Sequence, residues 1–264
     1  GEGIFVGKGI YDVADFERSL ENRIPENTLL SHDLFEGIHG RTALVTDIVI
    51  LEDYPPNYLV EVQRAHRWVR GDWQLLPWLL PRTPRVVGQH VTSAPNDLPL
   101  IDRWKIFDNL RRSLLPVALL ALFLFGWTLL PGVAVAWTVF GLLTPLVALA
   151  AGVVSSFVRM QRHGGDVAWG ELLRSLRDAA LRWLLYLAFL PVEAWLAIDA
   201  VVRALGGMCV TGRNMLEWTT AASTAQLLGD VVTPAATLKT MMPAVVFVFI
   251  AAAVVTTLDP GAIP

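Results

Sequence analysis

The sequence predicts an α/β domain fragment over residues 1–100, followed by an α-helical membrane module over residues 101–264. Three observations carry that expectation. Of the 264 residues, 54% are hydrophobic and only 17% are charged, too apolar for one ordinary soluble domain. The apolar residues are also concentrated, because no charged side chain occurs from 113 to 158 or from 240 to 258. The first hundred residues instead alternate helix-like and strand-like patterns.

In the N-terminal part, Asp12 is placed to cap a helix over "VADFERSLE", and "ALVTDIVIL" (43–51) is β-branched and reads as a strand. "NYLVEVQRAHRWVRGDWQLLPWLL" (57–80) reads as a helix that Pro81 ends, and "PRTPRVVGQHVTSAPNDLP" reads as a loop. A P-loop needs glycine five residues before Gly7, where Glu2 stands, so nucleotide binding of that type is excluded. Net charge is −3, which leaves no nucleic-acid footprint. The lone Cys209 excludes an internal disulfide. The chain opens "GEGIFVGKG", without Met or a leader pattern, and closes "LDPGAIP" directly after an apolar run. An internal piece of a longer protein is expected.

A bilayer span takes roughly 20 apolar residues. The uncharged run 113–158 therefore reads as two spans, about 113–131 and 133–156, hinged at Pro131-Gly132, with a third at about 240–258. Arg103, Lys105, Arg111 and Arg112 precede the first span, Arg159 and Arg162 follow the second, and the hairpin carries no basic residue. The positive-inside rule then places residues 1–112 in the cytoplasm. Between the second and third spans, the helix expected at about 168–205 carries Glu171, Arg174, Arg177, Asp178, Arg182, Glu193, Asp199 and Arg203. At helical spacing these eight fall within about 160° of arc, the pattern of a helix lying in the membrane interface, with a kink at Pro191.

Two stretches hold side chains suited to chemistry. In "SHDLFEG", Asp33 and Glu36 would project from the first turn of a helix, where the dipole keeps carboxylates ionised. An ionised carboxylate facing a hydroxyl can act as general base; an N-cap Asp and a surface Glu is the plainer reading. In "QRAHRWVRGDWQ", Arg64 and Arg67 could fork onto phosphate, while Trp68 offers a flat apolar surface to a sugar ring. An aromatic belt with snorkelling arginines fits the same residues.

The order of these parts resembles the membrane-integrated processive glycosyltransferases, the enzymes of the cellulose, chitin and hyaluronan synthase type. Asp33 matches their third acidic residue, and Arg64-Ala65-His66-Arg67-Trp68 matches their Arg-x-x-Arg-Trp form. Phe5, Val6 and Gly7 sit where the family keeps a Phe-x-Gly turn beneath the acceptor sugar. Four blocks, "GEGIFVGKGIYDV", "PENTLLSHDLFEG", "HRWVRGDWQLLPWL" and "NMLEWTTAA", narrow the resemblance to the cyclic β-1,2-glucan synthases.

The resemblance implies a GT-A-like fold, Asp33 as catalytic base, Arg64 and Arg67 at the donor pyrophosphate, and Phe5, Gly7 and Trp68 at the acceptor sugar. It further implies UDP-glucose as donor, a growing glucan as acceptor, Mg²⁺ as metal, and a glycoside-phosphorylase domain in the same full-length chain. The location implied is the bacterial inner membrane. Val210, Thr211 and Arg213 match a gating loop that covers the donor, although the family's Phe is missing; a plain connector is the other reading. The family's first Asp and Asp-x-Asp are absent, so no metal ligand is assigned and the piece alone is expected to be inactive. The alternatives are a synthase of another β-linked polymer and a non-catalytic membrane transport or scaffold module.

Overall fold

The computed structural model describes Phe5 and residues 7–30, 32–51, 54–55, 57–163, 166–213, 215–216 and 234–258. These residues are mostly helical, with one two-stranded sheet, and the chain divides into two compact units. The first comprises residues 1–114 and 196–237, the second residues 115–195 and 238–264. The sequence expected "LEWTTAASTAQLL" (216–228) to be a helix; beyond Leu216 it lies outside the described residues.

In the first unit, Asp12 caps α1 (Val13–Leu20) as expected, accepting from the Asp15 amide at 3.0 Å. Helix α2 (Asp33–Gly40) begins at Asp33, with Asp33 and Glu36 in its first turn, and ends at Arg41 in the left-handed region. Helix α3 (Tyr58–Gln74) is capped by Asn57, whose Oδ1 accepts from Val60 at 3.1 Å. It stops six residues short of the expected end. Pro77 lacks an amide hydrogen and its ring collides with the carbonyl four residues back, so the chain tightens into a 3₁₀ turn, Leu76–Leu79.

The stretch read as a loop after Pro81 is a hairpin, β1 (Arg82–Val87) paired antiparallel with β2 (His90–Pro95). Gly88 alone supplies the positive φ of its two-residue turn, the type II′ arrangement. Conversely, residues 43–51 form no strand. A strand needs a ladder partner for its backbone, and among the described residues none pairs with this run. Val49 and Leu51 are 80% and 90% exposed, so the run is not packed either. The α/β expectation for residues 1–100 is corrected to a mainly helical unit with one hairpin.

Helix α4 (Leu100–Ser113) follows the hairpin. Phe35 of α2, Leu75, Trp78, Leu98, and Ile106 and Leu110 of α4 form the core of the first unit. Phe35 is fully buried with its ring centroid 4.9 Å from that of Trp78. The Phe35 and His39 rings also meet in a T-shaped arrangement, their centroids 4.5 Å apart.

Burial, followed by the nearby Arg23 cation, lowers the His39 pKa to about 4. An unfolded His titrates near 6.5, so the unfolded state binds more protons between those values. The His39 contribution to stability is complete above about pH 6.5 and is lost as pH falls toward 4. His66, also lowered by burial, acts in the same direction. The acid-side fall in thermal midpoint should therefore shrink in His39→Phe; midpoints that track the wild type from pH 7 to 4.5 would contradict this.

In the second unit, α5 (Leu115–Thr128) and α6 (Ala134–His163) pack as a hairpin. Gly126 and Gly141 make the close approach possible: a Cβ at Gly126 would lie 2.5 Å from Trp137, and one at Gly141 2.5 Å from Phe123. Trp127 Nε1 donates to Thr138 Oγ1 at 2.8 Å, and Gly132 turns the chain at φ 103°. Helix α7 (Asp166–Gly206) runs uninterrupted through Pro191 and ends in a π-helical turn, Gly207–Thr211. Helix α8 (Pro234–Leu258) completes the described chain.

Among the described residues, two helices could cross a membrane by length and composition, Trp169–Thr211 and Thr237–Thr257. Counting Leu100–Ser113 with Leu115–Thr128, and Ala134–Val147 with Leu149–Val158, as broken spans brings the number to four. The segment expected to lie in the interface thus also meets the length and hydropathy of a span.

Candidate active site

Asp33 opens α2 because the chain before it is extended and Phe35, two residues later, is drawn into the core. The carboxylate lies against Gly7: a Cβ there would stand 3.0 Å from Oδ2 and 3.1 Å from Oδ1. Gly7 also has φ 80°, so its missing side chain serves both the turn and the approach. Phe5 packs on the same helix, since a Cβ at Gly37 would come within 2.7 Å of its Cβ. Residues 33 and 37 are one helical turn apart. Gly7 and Phe5, close together in one motif, therefore lie against Asp33 and Gly37 along one row of α2.

Helix α3 carries the second group. Arg64, Trp68 and Asp72 follow at intervals of four and so share a row. The Arg64 guanidinium lies over the Trp68 ring at 4.7 Å and the Tyr54 ring at 5.5 Å, and pairs with Glu61 at 2.6 Å. Trp68 stays half-exposed. Arg67 sits on the neighbouring row with Gly71.

His32 joins the two groups. Its Nε2 meets Asp72 Oδ1 at 3.0 Å, and that oxygen also accepts from Asn109 Nδ2 at 2.9 Å. A Cβ at Gly71 would stand 3.2 Å from His32 Cδ2, so the ring beds against backbone. The start of α2 is thereby fastened to α3 one turn beyond Trp68.

The candidate gating residues belong to the same unit. Thr211 ends the π-helical turn, Val210 beside it is 83% exposed, and Arg213 follows Gly212 in the left-handed region. Thr211 Oγ1 accepts from the Arg213 amide at 3.3 Å, and Gly212 donates to the Gly207 carbonyl at 2.8 Å. Among the described residues no three of His, Cys, Asp and Glu gather in a group that could hold a metal ion.

Sequence reasoning missed three connections. His66, in the middle of the Arg-x-x-Arg-Trp stretch, bonds through Nε2 to Asp199 Oδ2 of α7 at 2.8 Å, and Arg203 Nε reaches the same oxygen at 2.7 Å. Burial keeps His66 below the ordinary histidine pKa, although the Asp199 hydrogen bond acts the other way. At neutral pH it is thus the neutral ring that donates. Gln74 was missed as well, and so was the His32–Asp72 bond. A polar residue on the buried row with Gly71 and Trp78 was the available signal for Gln74.

One comparison with known proteins bears directly on this arrangement. The chain is 43% identical over 226 residues to the cyclic β-(1,2)-glucan synthase NdvB of Rhizobium meliloti (strain 1021). It is a relative of the cyclic β-(1,2)-glucan synthases. The alignment covers 84% of this chain but 8% of that synthase, so the chain spans a small part of the curated relative's length. No family model matches the chain.

Proposed function

We propose that the full-length protein transfers glucose from UDP-glucose to a growing β-1,2-glucan, with inversion at the donor carbon. The observation that carries this reading is the arrangement around Asp33. A half-buried carboxylate lies against a Phe-x-Gly turn, and His32–Asp72 fastens it to the helix that presents Arg64, Arg67 and Trp68. Asp33 takes the proton of the acceptor hydroxyl as its oxygen bonds to the glucosyl carbon and the bond to UDP breaks. Arg67, with Arg64, faces the pyrophosphate as its charge grows. Trp68 stacks the acceptor sugar on the ring face that Arg64 does not cover.

On this reading residues 1–100 are the C-terminal part of a GT-A-like domain and residues 101–264 its membrane module. The location is the bacterial inner membrane, with residues 1–112 cytoplasmic. Residues 1–114 and 196–237 form one compact unit, which favours an even number of crossings between them. The spans expected at about 113–131 and 133–156 supply two, leaving α7 along the interface and α8 as a third crossing. Burying charged residues of α7 near the bilayer centre would cost about 2.5–3.5 kcal/mol each.

Membranes carrying the full-length protein should incorporate labelled glucose from UDP-glucose into a β-1,2-linked product. A different linkage would make it another polymer synthase, and no incorporation would favour a transport or scaffold module.

A further inference from the structure

Gln74 is the last residue of α3 and is 1% exposed. Its Oε1 accepts from the Leu30 amide at 2.9 Å, and its Nε2 donates to the Met215 carbonyl at 2.8 Å. The amide has one possible orientation here, because an N–H can meet only the oxygen and a carbonyl only the NH₂. Leu30 lies three residues before Asp33. Met215 closes the turn that holds Val210, Thr211 and Arg213: a Cβ at Gly207 would stand 2.9 Å from its Sδ. On the upstream side of that turn, His66 holds Asp199. The segment 207–213 is thus tied to α3 at both ends, by His66 before it and by Gln74 after it.

We propose that Gln74 is a positioning residue that couples the segment leading into α2 and Asp33 to the turn at 207–213, so that the second is seated over the donor only while the first is in place. This rests on the reading of Asp33 and residues 210–213 given above. A buried amide that uses its acceptor on one loop and its donor on the other transmits a shift of either, because releasing one bond leaves a buried polar atom without its partner. An apolar side chain of the same length fills the space and transmits nothing.

The test uses the full-length protein in membranes with Gln74→Met, which keeps the volume and removes both hydrogen bonds. Two readouts are taken. One is the split between kcat and KM for UDP-glucose. The other is the rate of Cys209 alkylation and of tryptic cleavage after Arg213, followed peptide by peptide. The expected result is a KM raised at least ~10-fold, a smaller change in kcat, and several-fold faster modification of both positions. Unchanged modification with normal kinetics would show Gln74 to be a core residue only and overturn the proposal. Faster modification with normal kinetics would overturn the coupling, while Asp33→Asn separately judges the base. If Gln74→Met fails to insert, Gln74→Glu decides by the same readouts. It retains the acceptor for Leu30, and when ionised it loses the donor to Met215.

Discussion

Asp33→Asn in the full-length protein should lower glucosyl transfer at least ~10²-fold, the scale expected when a general base is removed. The substitution changes charge and basicity with almost no change of shape. Phe35 would still anchor α2 in the core, and His32 would still bond Asp72. Protein amount, insertion and donor binding should therefore remain near normal while the chemical step fails. Gly7 makes the prediction sharper, because its bare backbone leaves the carboxylate side accessible where any side chain would press against Oδ1 and Oδ2. Transfer at near-normal rate in membranes holding intact Asp33→Asn would return Asp33 to an ordinary first-turn acid.

Trp68→Ala should stop elongation or sharply raise the acceptor requirement while UDP-glucose binding is largely retained. Stacking on an aromatic face depends on the ring, and Trp68 is half-exposed with Arg64 over its indole. Trp68→Phe keeps a smaller face and should retain part of the activity. If both variants insert and polymerise as the wild type does, Trp68 is a belt residue. Loss of the ring also frees Arg64, which still has Glu61 and Tyr54 beside it, so donor binding is the internal control.

What was legible in the sequence was local. Asp12 before "VADFERSL" marked a helix start, because capping depends on residues three or four apart. Asp33 lies inside the first turn of α2 and does not cap it, His32 holding the cap position without a side-chain bond. Residues 43–51 misled for a related reason: β-branched composition reports a preference for pleated surfaces but not the presence of a partner strand. The hairpin at 82–95 was missed even though "VVGQHVT" sets Gly88-Gln89 between two β-branched runs, because Pro81 and Pro84 suggested a loop. The ties that assemble the candidate site were out of reach. His66 and Asp199 are 133 residues apart, and Gln74 and Met215 are 141 apart. No period or spacing encodes such pairs; only the folded first unit brings them together.

The central claim is that α3 gathers the start of α2 and the segment after α7 on one side of the membrane. A single reporter cysteine at Asn214, in a Cys209→Ser background of the full-length protein, tests it most directly. Sealed right-side-out vesicles would be treated with an impermeant thiol reagent before and after permeabilisation, with a second reporter at Glu36 as the cytoplasmic reference. Both positions should stay unlabelled in sealed vesicles and react only once the membrane is opened. Labelling of position 214 from outside while position 36 remains protected would mean that α7 crosses the bilayer, and the one-sided site would be contradicted.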